Sequence, residues 1–171
     1  IINEILDFSK IEAGKLVLDS VPFNLRDLIE DTLTILAPAA HTKHLELVSL
    51  VYRDTPLSLL GDPLRLKQVL TNLISNAIKY SRPKAEPRVE IASDSTATVG
   101  FVKISVTDNG VGFDAGKESQ LFMPFQRLHQ PWEFPGEGMG LANVKRIVER
   151  HGGEVSAEPN PEGGARFSLT L

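Results

Sequence analysis

Residues 70–80 read LTNLISNAIKY, and the helix they belong to organises everything around them. Leu66, Leu70, Leu73, Ala77 and Ile78 recur at the three-and-four spacing of one helical face. Asp62 followed by Pro63 supplies the start: a capping carboxylate, then a proline at the first helical position, where its missing N–H costs nothing. A helix from 63 to about 80 follows. Its second stripe is unusual. Asn72, Asn76 and Lys79 fall at i, i+4 and i+7, although Asn is a mediocre helix former. One reading is a solvated face. The other is a polar site where amide oxygens meet a hard cation and the ammonium meets an anion. Magnesium takes oxygen ligands and draws most of them from phosphates and water, so one Asn plus a nucleotide suffices.

Working outward, Ile1, Ile5 and Phe8 recur at helical spacing before Gly14, so residues 1–13 read as the tail of a helix. That piece is too short to be stable alone and should pair with other helices. KLVLDSVPFN (15–24) looks extended, and Asn24 can cap LRDLIEDTLTILAPAA (25–40), where Leu25, Leu28, Leu33 and Ile35 supply apolar surface. HLELVSLVY (44–52) has strand composition. Beyond the central helix, RPKAEP (82–87) breaks the chain, and RVEIAS (88–93) and FVKISVTD (101–108) read as a strand pair joined through DSTATVG (94–100). GLANVKRIVERHGG (140–153) is a helix with Gly152 at its end, and GEVSAEP (153–159) and ARFSLTL (165–171) form a last hairpin around NPEGG. Strands come in neighbouring pairs and do not alternate strictly with helices. That favours an α+β sandwich over a doubly wound parallel sheet.

Composition excludes several classes. The 171 residues suit one domain with an appendage, and 42% hydrophobic content is enough for a core. A net charge of −4 leaves no basic footprint for nucleic acid, and zero Cys removes disulfides and thiolate metal sites. No apolar run approaches membrane-spanning length and no signal peptide is visible. The chain opens on IINEILDFSK, without Met and in mid-helix, so it reads as a piece of a longer protein whose anchor or sensor lies elsewhere.

Two further stretches carry chemistry. In ISVTDNGVGF (104–113), Asp108 shares strand parity with Val102, Ile104 and Val106 and so arrives on the apolar side. A carboxylate there needs a partner. It is either a turn Asp bonded to its own backbone, since DNG is strong turn chemistry, or a pocket-floor acceptor for an amino group such as that of adenine. Gly110 and Gly112 would let backbone approach a flat ring. In FPGEGMGLANVK (134–145), Gly136, Gly138 and Gly140 precede a helix whose N-terminus can hold phosphate. A dinucleotide fingerprint fits poorly, because the glycines alternate as GxGxG and follow a long loop. That loop, 113–136, is long for a structureless connection and carries Phe113, Leu121, Phe122, Phe125 and Trp132 as apolar anchors. A mobile lid closing over a ligand is the functional reading.

In this order the pieces resemble the ATP-binding domain of sensor histidine kinases, in the superfamily that includes Hsp90, MutL and DNA gyrase. QVLTNLISNAIKY is similar to the N box, DNGVGF to the G1 box, LFMPFQRL to the F box, GEGMGLANVK to the G2 box and GGARF to the last glycine-rich block. ILDFSKIEAGKL and GDPLRLKQVLTNLISNAIKYS look closest to BarA/GacS-type hybrid sensor kinases, and PFQRLHQPWEFPGEGMGLANVKRIVERHGG to phytochrome-type kinases. The resemblance implies a two-layer α/β sandwich of the Bergerat type, with a mixed sheet, helices on one face and an ATP lid over about 113–136. Residues 15–171 would be the catalytic domain, and 1–14 the end of the second helix of a dimerisation domain.

The resemblance also assigns roles. Asn76 would be the Mg²⁺ ligand, with Asn72 a second polar contact. Lys79 would reach phosphate and Tyr80 would lie against adenine. Asp108 would accept from the adenine amino group, with Gly110 and Gly112 shaping that pocket. Arg127 would meet the terminal phosphate, and Gly136, Gly138, Gly140 and Leu141 would form the phosphate-facing turn. The implied activity is transfer of the γ-phosphoryl group of Mg–ATP to a histidine on a separate dimerisation domain, with a response-regulator receiver domain downstream. The parent would be a homodimer anchored in the bacterial inner membrane, with this domain in the cytoplasm. None of His41, His44, His129 and His151 has the setting of a phosphoacceptor, so that helix would precede residue 1.

There are departures and alternatives. Phe113 stands where Ile is common, Met139 replaces Leu or Ile, and Glu137 takes the place of a usual Thr. A carboxylate beside triphosphate should repel it unless it points outward or helps hold the metal. A clamp-type ATPase of the wider superfamily would need a carboxylate to orient water. Its Glu would stand at position 72, where this chain has an amide. A degenerate, non-catalytic nucleotide-binding module is the third possibility, encouraged by Glu137 alone.

Overall fold

Asn24 closes a short extended segment, β1 (Val21–Asn24), and opens the first helix, α1 (Leu25–Thr42). Its side-chain oxygen accepts the Arg26 N–H at 2.9 Å and the Asp27 N–H at 3.4 Å, satisfying donors that a helix start leaves unpaired. The computed structural model describes Ser9 and residues 17–81, 86–96, 100–130 and 132–171. The helix tail expected over 1–13, Ser9 apart, most of the break expected at 82–87 and part of the 94–100 connection lie outside the described residues.

The remaining elements are β2 (Glu46–Val51), β3 (Ser58–Gly61), α2 (Pro63–Tyr80), β4 (Arg88–Ser95), β5 (Val102–Asp108), α3 (Glu118–Leu121), α4 (Gly140–Arg150), β6 (Glu154–Pro159) and β7 (Ala165–Thr170). Asp62 caps α2, its Oδ1 accepting the Arg65 N–H at 3.0 Å, and Pro63 takes the first turn. The five-stranded sheet runs β2-β4-β5-β7-β6, with β2 parallel to β4 and every other pair antiparallel. It is therefore mixed, and α+β holds.

Register places one apolar set on one face. Val89, Ile91, Ile104, Val106, Phe167 and Leu169 are buried on that face, with Ile91 opposite Val106, Val106 opposite Phe167, Ile104 opposite Leu169 and Val89 opposite Asp108. Their alternates, such as Lys103, Ser105, Thr107 and Arg166, are half-buried or exposed. Helices α1, α2 and α4 cover the apolar face only, which makes two layers. The buried side of α2 comprises Leu66, Val69, Leu70, Leu73, Ile74, Ala77 and Ile78. Each large apolar side chain so buried contributes about 1.5–3 kcal/mol.

Several local expectations change. Strand β3 was not anticipated: at four residues it shows no alternation, and it exists by antiparallel pairing with β1. Ile35 is 58% exposed. The buried stripe of α1 runs through Leu25, Leu28, Ile29 and Thr32 to Ala40 and passes position 35 by. Within the 113–136 loop, Phe113, Leu121 and Phe122 pack on the core, whereas Phe125 and Trp132 are 62% and 81% exposed. Phe125 takes φ +62° and gives its N–H to the Gly138 carbonyl at 3.1 Å, which fixes its backbone with the ring outside.

Candidate functional site

Because one side of α2 is committed to the core, its amide stripe must face elsewhere. It faces a cavity of about 530 Å³ bounded by α2, the end of β5, the 113–138 segment and the start of α4. That volume lies in the roughly 300–1,000 Å³ range of small-molecule sites. Asn72, Asn76, Lys79 and Tyr80 all line it, joined by Ser75, which the spacing argument passed over. The Asn72 Nδ2 is buried and has no hydrogen-bond partner among the described residues. A buried donor left unpaired costs about 1–3 kcal/mol, and Asn72 carries that cost at the wall of the cavity it lines.

The last turn of α2 is held from outside the helix. Lys43, at the end of α1, donates from Nζ to the Ile78 carbonyl at 2.7 Å and the Lys79 carbonyl at 3.0 Å. Ser81 Oγ donates to the Ile78 carbonyl at 2.7 Å, and the Tyr80 carbonyl accepts the Val111 N–H at 3.1 Å. These bonds satisfy carbonyls that a helix end leaves free, and the ammonium meets the negative end of the dipole. Lys43→Met should lower stability by about 1 kcal/mol, seen as a small drop in thermal midpoint that Lys43→Arg largely avoids.

Asp108 ends β5 on the buried parity, is 4% exposed, and lines the cavity. Oδ1 accepts the Gly110 N–H at 2.8 Å as a turn Asp does, and the residue lies on the cavity wall, where the acceptor reading needs it. Gly112 lines the cavity. Gly110 stands behind it, where a Cβ would lie 2.4 Å from the Tyr80 carbonyl oxygen. Its smallness lets the β5 loop dock on the end of α2. Gly164 performs the equivalent service from the final hairpin, where a Cβ would meet the Asp108 carbonyl at 2.2 Å. The Asn160 Nδ2 donates to that same carbonyl at 3.0 Å.

The lid lies over this floor. Arg127 lines the cavity, and its guanidinium donates to the Phe134 carbonyl. His129 and Phe134 bring their rings to 5.2 Å and 4.8 Å from Tyr80, and neither was picked out as a binding residue from the sequence. Lys79 Nζ sits 4.3 Å above the Tyr80 ring. A Cβ at Gly136 would stand 3.2 Å from that ammonium, so glycine there lets backbone and cation converge. Glu137 also lines the cavity. On the lid's outer surface, the Lys117 ammonium bonded to Asp114 at 2.7 Å holds that carboxyl below the usual range. Hydrogen bonds from backbone N–H groups, that of Gly116 first, do the same for Glu118.

Gly138, Gly140 and Leu141 complete the wall at the start of α4. Whereas α1 and α2 begin with side-chain caps, α4 begins at Met139 without one. Its first N–H groups and positive dipole end therefore stand at the cavity, a ready anion site. The polar lining fits a nucleotide: a buried carboxylate, two amide side chains, an ammonium and an uncapped helix start. It fits Mg²⁺ as a companion only. Among the described residues no cluster of three or more His, Asp or Glu could hold a metal, and the Asn76 amide oxygen would need phosphate and water to complete a shell.

The family profile described as histidine kinase-, DNA gyrase B-, and HSP90-like ATPase matches residues 61–171. The chain is 54% identical over 176 residues to the sensor protein GacS of Pseudomonas syringae pv. syringae, covering 100% of this chain and 19% of that protein. It is 37% identical over 172 residues to the signal transduction histidine-protein kinase BarA of Escherichia coli K12, covering 98% of this chain and 18% of that one. The chain thus spans about a fifth of the length of these relatives. Among solved structures, full-length ShkA in complex with AMPPNP superposes with a TM-score of 0.86 at 27% identity, over 99% of this chain and 34% of that one. The catalytic domain of histidine kinase ThkA gives 0.74 at 25% identity, over 90% of this chain and 96% of that one.

Proposed function

Since the chain belongs to the histidine kinase-, DNA gyrase B- and HSP90-like ATPase family, we propose that its cavity binds Mg–ATP and that the domain delivers the γ-phosphoryl group to a histidine on a separate dimerisation domain. The observation that carries this is the convergence of the Asn72–Asn76–Lys79 stripe, buried Asp108 and the uncapped start of α4 on one cavity. Asp108 accepts from the adenine amino group, and Tyr80 packs against the base. Lys79, Arg127 and the N–H groups at Gly136–Gly140 neutralise phosphate, and Leu141 closes the turn behind them. Asn76 would supply the protein's oxygen to Mg²⁺, and the bound ion would spread the charge of the phosphates.

In the transfer the acceptor imidazole nitrogen forms a bond to γ-phosphorus as the bond to the β,γ-bridging oxygen breaks, ADP leaves, and the proton of the attacking imidazole is lost to solvent. The domain's contribution is orientation and charge neutralisation. Asn72 cannot act as a base toward water, which favours phosphotransfer over hydrolysis. The phosphoryl group would then pass to a receiver domain, within a homodimeric parent anchored in a membrane. Among the described residues no helix is long and apolar enough to cross one.

Titration with Mg–ATP or a non-hydrolysable analogue, followed through the exposed lid residue Trp132, tests the binding half of the proposal. Saturation at millimolar concentration or tighter is expected, and no saturable change by fluorescence or calorimetry would contradict it. Glu137→Thr should tighten binding about two- to fivefold, more at low ionic strength, because it removes a carboxylate from a partly solvated phosphate site. Weaker binding in that variant would show that Glu137 helps to hold the metal.

A further inference from the structure

We propose that His129 is a nucleotide-binding residue of the lid, latching it over the base-binding end of the cavity; this rests on the nucleotide reading above. Its Nε2 lies 3.0 Å from the Gly112 carbonyl oxygen. A carbonyl only accepts, so Nε2 carries the hydrogen and donates. This bond ties the lid to the end of the β5 loop across 17 residues of sequence. The imidazole also packs with Tyr80 at 5.2 Å and Phe134 at 5.5 Å between ring centroids, at tilted angles of 41° and 64°. With the 4.8 Å Tyr80–Phe134 contact, three rings form one closed cluster.

The place of the cluster gives it a function. A Cβ at Gly110 would meet the Tyr80 backbone carbonyl, at 2.4 Å, and Asp108 Oδ1, at 2.9 Å, so the main chain that ends α2 lies beside the Asp108 carboxylate. Gly112, to which His129 bonds, is four residues beyond Asp108 and lines the cavity with it. His129 is therefore bonded to the loop that follows Asp108, and it packs on the same Tyr80 ring that carries the Lys79 ammonium at 4.3 Å. A base leaving the base-binding end must break the Nε2–H···O bond and part the rings. His129 makes two separable contributions: a hydrogen bond that fixes the lid's position, and a ring face that closes over Tyr80.

The test is the dissociation rate of a fluorescent non-hydrolysable ATP analogue from the 171-residue chain, chased with excess unlabelled nucleotide. H129A should release the analogue about tenfold faster than the wild type. H129F keeps the ring and H129Q keeps a donor, and both should fall between. Thermal melting identifies any variant that fails to fold, and the two conservative variants then carry the comparison. Wild-type binding with H129A, H129F and H129Q all releasing within twofold of the wild-type rate overturns this assignment alone. No binding to the wild-type chain overturns the nucleotide reading and the assignment with it.

Discussion

Asp108→Asn is expected to weaken adenine-nucleotide binding by about 30- to 100-fold while leaving the domain folded, because it removes a charged acceptor worth roughly 1.5–3 kcal/mol. The asparagine keeps the shape and still offers an oxygen to the Gly110 N–H, so the turn at the end of β5 survives. What changes is the recognition edge. A buried carboxylate presents only acceptors, matching an exocyclic amino group, whereas the amide nitrogen presents donors to it. Discrimination should change with affinity. The wild-type site should reject guanine, whose oxygen at that position would face the carboxylate, and Asp108→Asn should narrow that preference. Calorimetric titration of both proteins with adenine and guanine nucleotides measures each effect. Equal adenine affinity in wild type and variant would remove Asp108 from base recognition.

Gly164→Ala is the second large effect, and it acts on fold and site together. Gly164 has φ +88°, which disfavours any Cβ, and the added methyl would stand 2.2 Å from the Asp108 carbonyl and 2.5 Å from its Oδ1. The backbone term costs roughly 1–2 kcal/mol and overpacking against a fixed strand about 1–3 kcal/mol. A loss of about 3 kcal/mol overall corresponds to a fall of roughly 6–12 °C in melting temperature for a chain of this size. The relief available is for the end of β5 to move, which carries Asp108 off the cavity wall. Material that remains folded should therefore bind nucleotide poorly, as Asp108→Asn does. A variant with normal melting and normal affinity would show that the hairpin and the β5 end move apart freely.

Legibility in the sequence followed the range of the interaction. Helix α2 was readable because its cap, its proline and both of its faces lie within 19 residues of chain, Asp62–Tyr80. The unusual side of Asp108 was readable from strand parity alone, and the start of α4 from its alternating glycines. What escaped was what depends on chain far away. Lys43 reaches α2 over 35 residues. β3 exists only through β1, and the roles of His129 and Phe134 appear only once the lid lies on Tyr80. Gly110 looked like a pocket residue and is instead a spacer between the β5 loop and α2, a distinction that needs the Tyr80 carbonyl beside it. Phe125 and Trp132 misled for a related reason: aromatic composition in a loop signals contact without saying whether the contact is within the domain.

The central claim is that this domain binds Mg–ATP in order to phosphorylate a histidine outside itself. The most direct measurement mixes the chain, γ-labelled Mg–ATP and a separately produced dimerisation domain of the parent protein, then follows label on the acceptor. Acid-labile, base-stable phosphate is expected on a single acceptor histidine, lost when Asn76 is replaced by alanine. Label appearing only as free inorganic phosphate, at a rate the acceptor domain does not alter, would contradict it and identify a hydrolase.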